Sequence, residues 1–418
     1  MIEEAYKLAK KKYEEFGVDT DKALERLEKI SVSLHCWQGD DVSGFENPDA
    51  ELGGGGIMAT GNFPGKARNV QELRQDYEKV LSLLPGKFRI NLHAIYGEFE
   101  GMNIERDQIE PKHFQGWIDW AKENDVKIDF NATPFSHPKA DDGFTLSSKD
   151  PDIRNYWIRH CKKAREISAY IGQELGSPCI FNIWIPDGMK DVTVDRYGYR
   201  QLLKESLDEI FKEMVNKNHV KDCVEGKLFG IGSEEFVVGS HEFYLSYAIT
   251  NNIMLCLDMG HFHPTENVGE KIPAILPFLD EILIHVSRGV RWDSDHVVIV
   301  NEDLMSLAHE IVRAKALDRV HLGLDFFDAS INRIGAYVIG ARSTLKALMI
   351  ALLEPWDMLR EVEESGNYFK RLALLEELKT MPYGAVWDYF CQKKGVAIGN
   401  SWIDEVLIYE KDVLRKRN

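Results

Sequence analysis

Apolar and polar positions along this chain alternate between helical and extended patterns in a regular beat. Residues 1–28 read as a helical lead-in, with Ala5, Leu8 and Ala9 at helical spacing and Leu24, Leu27 and Ile30 repeating it. Ser31–Cys36 then alternates as a strand and runs into Trp37. Helical patterns follow over Asn69–Leu84, Lys112–Asn124, Asp152–Leu175, Tyr197–Lys217, Ser240–Asn251, Gly269–Leu279 and Asp303–Ala316. Between them lie short apolar runs at Phe88–His93, Val126–Ala132, Cys179–Trp184, Cys223–Phe229, Ile253–Leu257, Glu281–Val286 and Val320–Leu324, and a last helix, Asn332–Leu353, closes the series. Counting Ser31–Cys36 first gives eight strands, each followed by a helix, which predicts an α/β fold of the (β/α)8 (TIM) barrel type. The strands read as apolar throughout, as strands buried on both faces do. A doubly wound open sheet is the alternative. It usually has fewer strands and a Gly-rich phosphate loop after the first, and no G-x-G-x-x-G follows Ser31–Cys36.

Two stretches interrupt the beat. Gln38–Arg68 is rich in Gly and Asp and contains Gly53-Gly54-Gly55-Gly56. A structureless loop of that length inside a compact domain is usually functional or disordered, so it reads as a lid or a subunit contact, with a mobile surface insertion as the equal alternative. Beyond Leu353 nothing alternates with strands. Glu354–Asn418 reads as short amphipathic helices with five aromatics from Trp387 to Tyr409. The expected division is therefore a barrel domain over 1–353, including the lead-in, and a helical extension over 354–418 that packs on the barrel exterior or on a neighbouring subunit.

Charge narrows the function. Across 418 residues, 51 basic and 68 acidic side chains give a formal net charge of −17, which argues against nucleic acid or an anionic membrane as the main partner. None of the six cysteines forms a C-x-x-C pair, so a zinc ribbon or redox motif is not indicated, and their placement in apolar runs is that of a reducing compartment. The charged N-terminal pattern lacks the apolar core of a signal peptide, and no apolar run approaches the roughly 18 residues of a membrane span. The expected location is the cytoplasm.

In a barrel, catalytic groups come from the C-terminal ends of strands. Those ends collect Trp37, His93, Asn131, Trp184, Glu225, Lys227, Asp258, His261, His285, Asp293, Asp295 and Asp325. Five carboxylates and two imidazoles from the last four strands would crowd one mouth, which is untenable without cations. The donors are mostly carboxylate, with no thiolate at these ends, a mixture that suits Mn²⁺, Mg²⁺ or Co²⁺ better than structural zinc. Seven ligands are too many for one such ion and enough for two. Asp293 and Asp295 lie on one side of an extended segment and could share an ion with His261. Glu225, Asp258, His285 and Asp325 could hold the other. Each residue also has a plain structural reading: Asp293 and Asp295 as turn residues, His261 as an exposed loop histidine, His285 as a core histidine, Asp325 as a cap.

The segments E-G-K-L-F-G-I-G (Glu225–Gly232), G-S-H-E-F-Y (Gly239–Tyr244), C-L-D-M-G-H-F-H-P-T-E (Cys256–Glu266), H-V-S-R-x-V-R-W-D-S-D-H (His285–His296) and H-L-G-L-D-F-F-D-A-S-I-N-R (His321–Arg333) closely resemble the bacterial L-rhamnose isomerases. The resemblance extends over essentially the whole chain. More distantly, the Glu-x-Lys, Asp-x-x-His and Asp-x-Asp spacings are similar to those of the xylose isomerase class. There the bridging ligand is Glu, where this chain has Asp258, and a metal-binding Asp is replaced here by His285.

The resemblance implies an aldose–ketose isomerase that converts L-rhamnose to L-rhamnulose, the first step of L-rhamnose catabolism. It implies two divalent ions per subunit, most often Mn²⁺, with Co²⁺ or Mg²⁺ as substitutes. Glu225, Asp258, His285 and Asp325 would hold the structural ion, and His261, Asp293 and Asp295 the catalytic one, with Asp258 bridging. Lys227 would donate to O1, and Asp325 or a water would pass the O2 proton to O1. With no carboxylate spared as a base, a metal-assisted hydride shift from C2 to C1 is favoured over an enediol route. His93 would assist ring opening, and Trp37 and Trp184 would wall the sugar. The C6 methyl calls for an apolar patch, expected at Ile95, Tyr96 and the loop around Ile57–Phe63. The family also implies a homotetramer. A sugar-acid dehydratase and a phosphodiester-cleaving repair enzyme use similar barrels; the repair enzyme would need a basic groove, which −17 disfavours.

Overall fold

The computed structural model describes residues 1–46, 59–227, 235–290 and 295–417. Eight parallel strands close into a barrel: β1 Ser31–His35, β2 Lys87–His93, β3 Lys127–Asn131, β4 Cys179–Ile183, β5 Val220–Glu225, β6 Met254–Asp258, β7 Ile282–Val286 and β8 Val320–Leu324. Each strand pairs with its sequence neighbours, and β1 closes the ring by pairing with β8 (Val32 opposite Leu322). This is the (β/α)8 barrel that the beat predicts.

Four long helices of the outer ring start where a side chain satisfies their first orphan amides. Asn69, Asp150, Asn301 and Asn332 accept backbone N–H bonds at the starts of the helices Val70–Ser82, Pro151–Leu175, Glu302–Arg313 and Arg333–Leu352. The segment expected as a helix over Gly269–Leu279 is shorter, a 3₁₀ turn (Val268–Glu270) leading into Lys271–Ile275. Leu276 keeps helical backbone (φ −58°, ψ −22°), but Pro277 has no N–H to continue the ladder, and the helix ends there.

The strands are not apolar throughout, contrary to expectation. Outward positions such as Val32, Leu34, Ile90, Leu92, Ile282 and Ile284 join the large core between barrel and helices. Inward positions are mostly polar and are paired with one another across the barrel. Ser33 Oγ donates to Asp129 Oδ2 (2.8 Å), Arg89 forks onto the same carboxylate (2.8 and 2.7 Å), and Asn131 Nδ2 donates to Asn91 Oδ1 (2.6 Å). Buried polar groups are tolerated only when satisfied in this way. One small apolar cluster fills the interior beside them: Ile180, Cys223, Met254, Cys256 and Leu283. Polar residues also explain why β5 begins earlier than expected. Ahead of the apolar run it carries Lys221, paired with Glu281, and, on the opposite face, Asp222, which takes Arg165 of the helix Pro151–Leu175 (2.8 Å). The expected end of that run, from Leu228 to Phe229, lies outside the described residues.

The helix Arg333–Leu352 is, among the described residues, the one long and apolar enough to cross a membrane by length and composition. It is a wall of the barrel, with Ile334, Tyr337, Val338, Ala341, Leu345 and Leu348 all buried. The loop Gln38–Arg68 is described at its two ends. Trp37–Asp40 forms a helical turn, and Phe63 N and Thr60 O bond Ala329 O (2.7 Å) and Ala329 N (3.1 Å). Gly61 takes φ +128° there because a Cβ would sit 2.2 Å from the Ala329 carbonyl carbon.

Beyond Leu353 the chain folds into helices Trp356–Glu364, Tyr368–Leu378, Tyr383–Lys393 and Ser401–Asp412. Tyr389 stacks on Tyr6 of the lead-in (3.9 Å between centroids), and Arg342 lies over the Trp387 ring (5.2 Å). The buried Asp76 carboxylate receives both Arg417 (2.7 and 2.9 Å) and the Tyr409 hydroxyl (2.7 Å). Tyr368–Leu378 behaves differently, with no buried residue and Tyr368, Phe369 and Leu372 exposed.

Candidate metal centre

Polar residues at the C-terminal ends of β5 to β8 converge on one point. Asp258 and His285 share a rung of the β6–β7 pair, Glu225 stands opposite Cys256, and Asp325 follows β8 with its N–H on Val286 O (3.1 Å). As a result Glu225, Asp258, His285 and Asp325 each present a donor atom within 4.8 Å of the others. His285 Nδ1 lies 3.1 Å from Glu225 Oε1, 3.0 Å from Asp325 Oδ2 and 3.7 Å from Asp258 Oδ2.

Each of these carboxylates has one oxygen held by a neutral donor, and that leaves the other turned toward the shared space. Asn182 Nδ2 donates to Glu225 Oε2 (2.5 Å), and Trp37 Nε1 donates to Asp325 Oδ1 (2.8 Å). Gly260 N (2.6 Å) and Ser287 Oγ (3.2 Å) donate to Asp258 Oδ1. Asp258 Oδ2, fully buried, has no hydrogen-bond partner among the described residues. A second group, Asp258, His261 and Asp295, also brings its donor atoms within 4.8 Å. His261 Nδ1 donates to Gly226 O (2.9 Å), which leaves Nε2 with the lone pair that a cation needs. Asp295 is carried over the mouth by a two-stranded ribbon, Arg288–Gly289 with Asp295–His296. Gly260 makes this approach possible, since a Cβ there would lie 2.1 Å from Asp295 Oδ1. Asp258 belongs to both groups. Asp293, expected beside Asp295, lies outside the described residues.

The electrostatics fit a divalent cation. Burial, with Asp325 and Glu225 adding to it, pushes Asp258 up to about 7 against the pull of His261 and His285. Burial would raise Asp325 too, but the adjacent His285 holds it well below the usual carboxylate range. Burial works against a charged His285; Cys256, Glu225 and Asp325 around it outweigh that and raise its pKa well above the ordinary value. Protons thus supply the positive charge that three buried carboxylates require, and a cation must displace them. Affinity for Mn²⁺ should therefore rise with pH by roughly tenfold per unit for each proton released, most steeply below about 7, where Asp258 and His285 both carry protons, and still above it while His285 alone does. Calorimetric titration across that range checks this, and a flat profile would contradict it.

Beside the metal groups lies a cavity lined by Trp37, Val42, His93, Phe135, Trp184 and Phe327, with Asn131, Asn182, Glu225, His261, His285, Asp295 and Asp325 on its polar side. His93 Nδ1 donates to Ala132 O (3.2 Å), and burial lowers its pKa to about 3, so it presents a neutral imidazole. Its ring meets Trp37 edge-on (4.7 Å). Lys227 is buried and not among the lining residues; its Nζ donates to Pro186 O (3.0 Å). Ile95 and Tyr96, expected as an apolar patch, are not lining residues either. The Tyr96 hydroxyl donates to the buried Asp40 (2.7 Å), and the apolar wall is instead Val42, Phe135 and Phe327. Ile57 and Met58 lie outside the described residues. Asn182, Ser287 and Gly260 were not among the residues expected at the site. Only Gly260, between Asp258 and His261, carried a signal in the sequence.

A closed parallel barrel with buried carboxylate and imidazole donors at its C-terminal mouth, next to an aromatic cavity, defines a TIM-barrel protein whose mouth is suited to hold a divalent metal beside a small molecule. The profile of the L-rhamnose isomerase (RhaA) family matches residues 1–417, and the chain belongs to that family. It is 55% identical over 417 residues to the L-rhamnose isomerases of Salmonella typhimurium (strain LT2) and Salmonella agona (strain SL483), covering 100% of this chain and 99% of each relative. Among solved structures it is similar to D-psicose 3-epimerase from Clostridium cellulolyticum H10 (TM-score 0.46, 12% identity, 80% of this chain and 99% of that one). It is also similar to an L-ribulose 3-epimerase (TM-score 0.47, 11% identity, 77% and 95%).

Proposed function

We propose that the protein isomerises L-rhamnose to L-rhamnulose, opening L-rhamnose catabolism in the cytoplasm, with two divalent ions, Mn²⁺ first among them. The observation that carries this reading is the pair of ligand groups sharing Asp258 at the mouth of a family member's barrel. Glu225, Asp258, His285 and Asp325 hold one ion; His261 and Asp295, with Asp293 and the shared Asp258, hold the other. Bound there, the ions supply Lewis acidity and a template for the O1 and O2 oxygens.

The chain's own groups do the rest. Lys227, two residues past β5, donates to O1 once its ammonium leaves the Pro186 carbonyl. His93, neutral and with Nδ1 committed to Ala132 O, assists ring opening by accepting a hydrogen bond at Nε2 that orients a sugar hydroxyl. Trp37 and Trp184 wall the sugar, while Val42, Phe135 and Phe327 exclude water from an apolar end such as a 6-deoxy carbon. Asp325 keeps one oxygen on Trp37 Nε1 and turns the other, 3.0 Å from His285 Nδ1, into the shared space, so we assign it as a ligand first and a proton carrier second. Every described carboxylate that lines the cavity belongs to a ligand group, which leaves none there to abstract the C2 proton. Hydrogen then moves from C2 to C1 with its electron pair, and the O2 proton passes to O1 through Asp325 or a water. L-Rhamnose deuterated at C2 reads this out: retention of label at C1 supports the shift, and washout to solvent supports an enediol. L-Mannose, L-lyxose and D-xylose run alongside define the substrate, and faster turnover of any of them would displace L-rhamnose.

The exposed Tyr368, Phe369 and Leu372 on a helix with no buried residue support association into a homotetramer, which light scattering reads directly.

A further inference from the structure

One buried guanidinium takes no part in the proposed chemistry. Arg333 opens the helix Arg333–Leu352 and is 2% exposed. Its Nε and Nη2 fork onto the Asp41 carboxylate (2.9 and 2.7 Å), and its Nη1 donates to the carbonyls of Phe63 (2.7 Å) and Pro64 (3.3 Å). One side chain thus ties both described ends of the Gln38–Arg68 loop to the helix after β8. A second observation concerns the backbone beside Asp41. Asp41 (φ +60°, ψ +40°) and Val42 (φ +63°) are both left-handed. Aspartate tolerates that region, but for a β-branched residue it is an outlier. Such a residue persists only where its surroundings over-determine it. Val42 is also one of the apolar residues that wall the sugar cavity.

The turn that carries Val42 is fastened on both sides of it. Asp40 accepts from Gly44 N (2.7 Å) and from the Tyr96 hydroxyl (2.7 Å), and Phe45 N donates to Ile95 O (2.8 Å), so the loop after β2 holds one flank. The Asp41–Arg333 fork holds the other. Without the fork, Asp41 and Val42 are free to relax to ordinary backbone, and the valine side chain swings away from the cavity. We infer that Arg333 is a positioning residue for substrate selection: through Asp41 it holds Val42 in its left-handed conformation against the cavity, and so sets the preference for a sugar whose C6 is apolar. The planar fork suits this task, because it binds one carboxylate at two points and still spans to a backbone carbonyl, which a lysine ammonium cannot do. This rests on the reading of the protein as an L-rhamnose isomerase.

The test compares L-rhamnose with L-mannose, which differs from it only by a hydroxyl on C6, so the ratio of the two kcat/KM values reads the apolar end alone. In full-length Arg333→Lys that ratio should fall by roughly tenfold, the scale of discrimination that one apolar contact supplies. The fall should come from a higher KM for L-rhamnose, with kcat held within about twofold. Val42→Gly relieves the backbone and removes the side chain, so it should lower the ratio to the same extent, and Arg333→Lys added to it should lower it no further. If Arg333→Lys does not fold, Asp41→Asn repeats the test, since it breaks the fork and keeps a residue that accepts left-handed backbone. An unchanged ratio in the folded variant, with kcat for both sugars reduced alike, marks a purely structural role and overturns the inference. Falls that multiply in the double variant overturn it too. Unaltered protein that turns over L-mannose as well as L-rhamnose would instead overturn the substrate reading on which the inference rests.

Discussion

Replacing His261 by alanine should leave the barrel folded and reduce turnover of L-rhamnose by at least roughly 10²–10³-fold, the range seen when one group that stabilises developing charge is removed. His261 sits past the end of β6 with its Nδ1 proton on the Gly226 carbonyl (2.9 Å), so its loss removes a ligand and no core packing. In the assigned site it holds the ion that faces the sugar, whereas the other four-residue group does not depend on it. Saturating Mn²⁺ should therefore fail to restore the rate, although one ion per chain still binds. Turnover within about tenfold of the unaltered protein, with circular dichroism unchanged, would remove His261 from the centre.

Gly260→Ala should have the second largest effect, and through geometry alone. The added Cβ would lie 2.1 Å from Asp295 Oδ1 and 3.2 Å from Asp258 Oδ1. The Asp295 carboxylate must then withdraw by more than an ångström from the point it shares with Asp258 and His261. Displacing an oriented ligand typically costs about 10–100-fold in metal affinity, and overpacking adds about 1–3 kcal/mol of destabilisation. The outcome to look for is weakened binding of one ion, with the other bound as before. Two ions bound with unchanged affinity would show that Asp295 does not belong to the second group.

These two neighbours show what could be read from the chain before folding. His261 could be read because it stands four residues beyond a run that had to be a strand, among other ligand types at matching positions. Gly260 drew attention only as the spacer of an Asp-x-x-His, and its reason, the approach of Asp295 on a returning ribbon, is tertiary. The donors that orient the carboxylates were less legible still. Asn182 lies 43 residues from Glu225 in sequence, and the Trp37 indole reaches Asp325 across 288 residues. Trp37 drew notice as a wall for the sugar, whereas its Nε1 is spent on a ligand oxygen.

The fold was legible through its outer face. Val32, Leu34, Ile90, Leu92, Ile282 and Ile284 pack under the helices and produce the beat, whatever fills the barrel. The interior was misread, because Ser33, Arg89, Asn91 and Asp129 look like strand flanks until their partners across the barrel are known. Lys221 and Asp222 hid the start of β5 because they too are polar, with partners, Glu281 and Arg165, that only the fold brings to them. The helix Arg333–Leu352 shows the converse ambiguity: its composition fits a membrane span, and its packing as a barrel wall decides otherwise.

The central claim is that isomerisation runs on two divalent ions held by these residues. The most direct measurement strips the protein with a chelator, counts residual metal by mass spectrometry, and follows L-rhamnose conversion as Mn²⁺ is returned. The account predicts no conversion in the stripped protein and recovery that saturates at two ions per chain. Conversion that persists after complete removal of metal, or that is fully restored by a single ion, would contradict it.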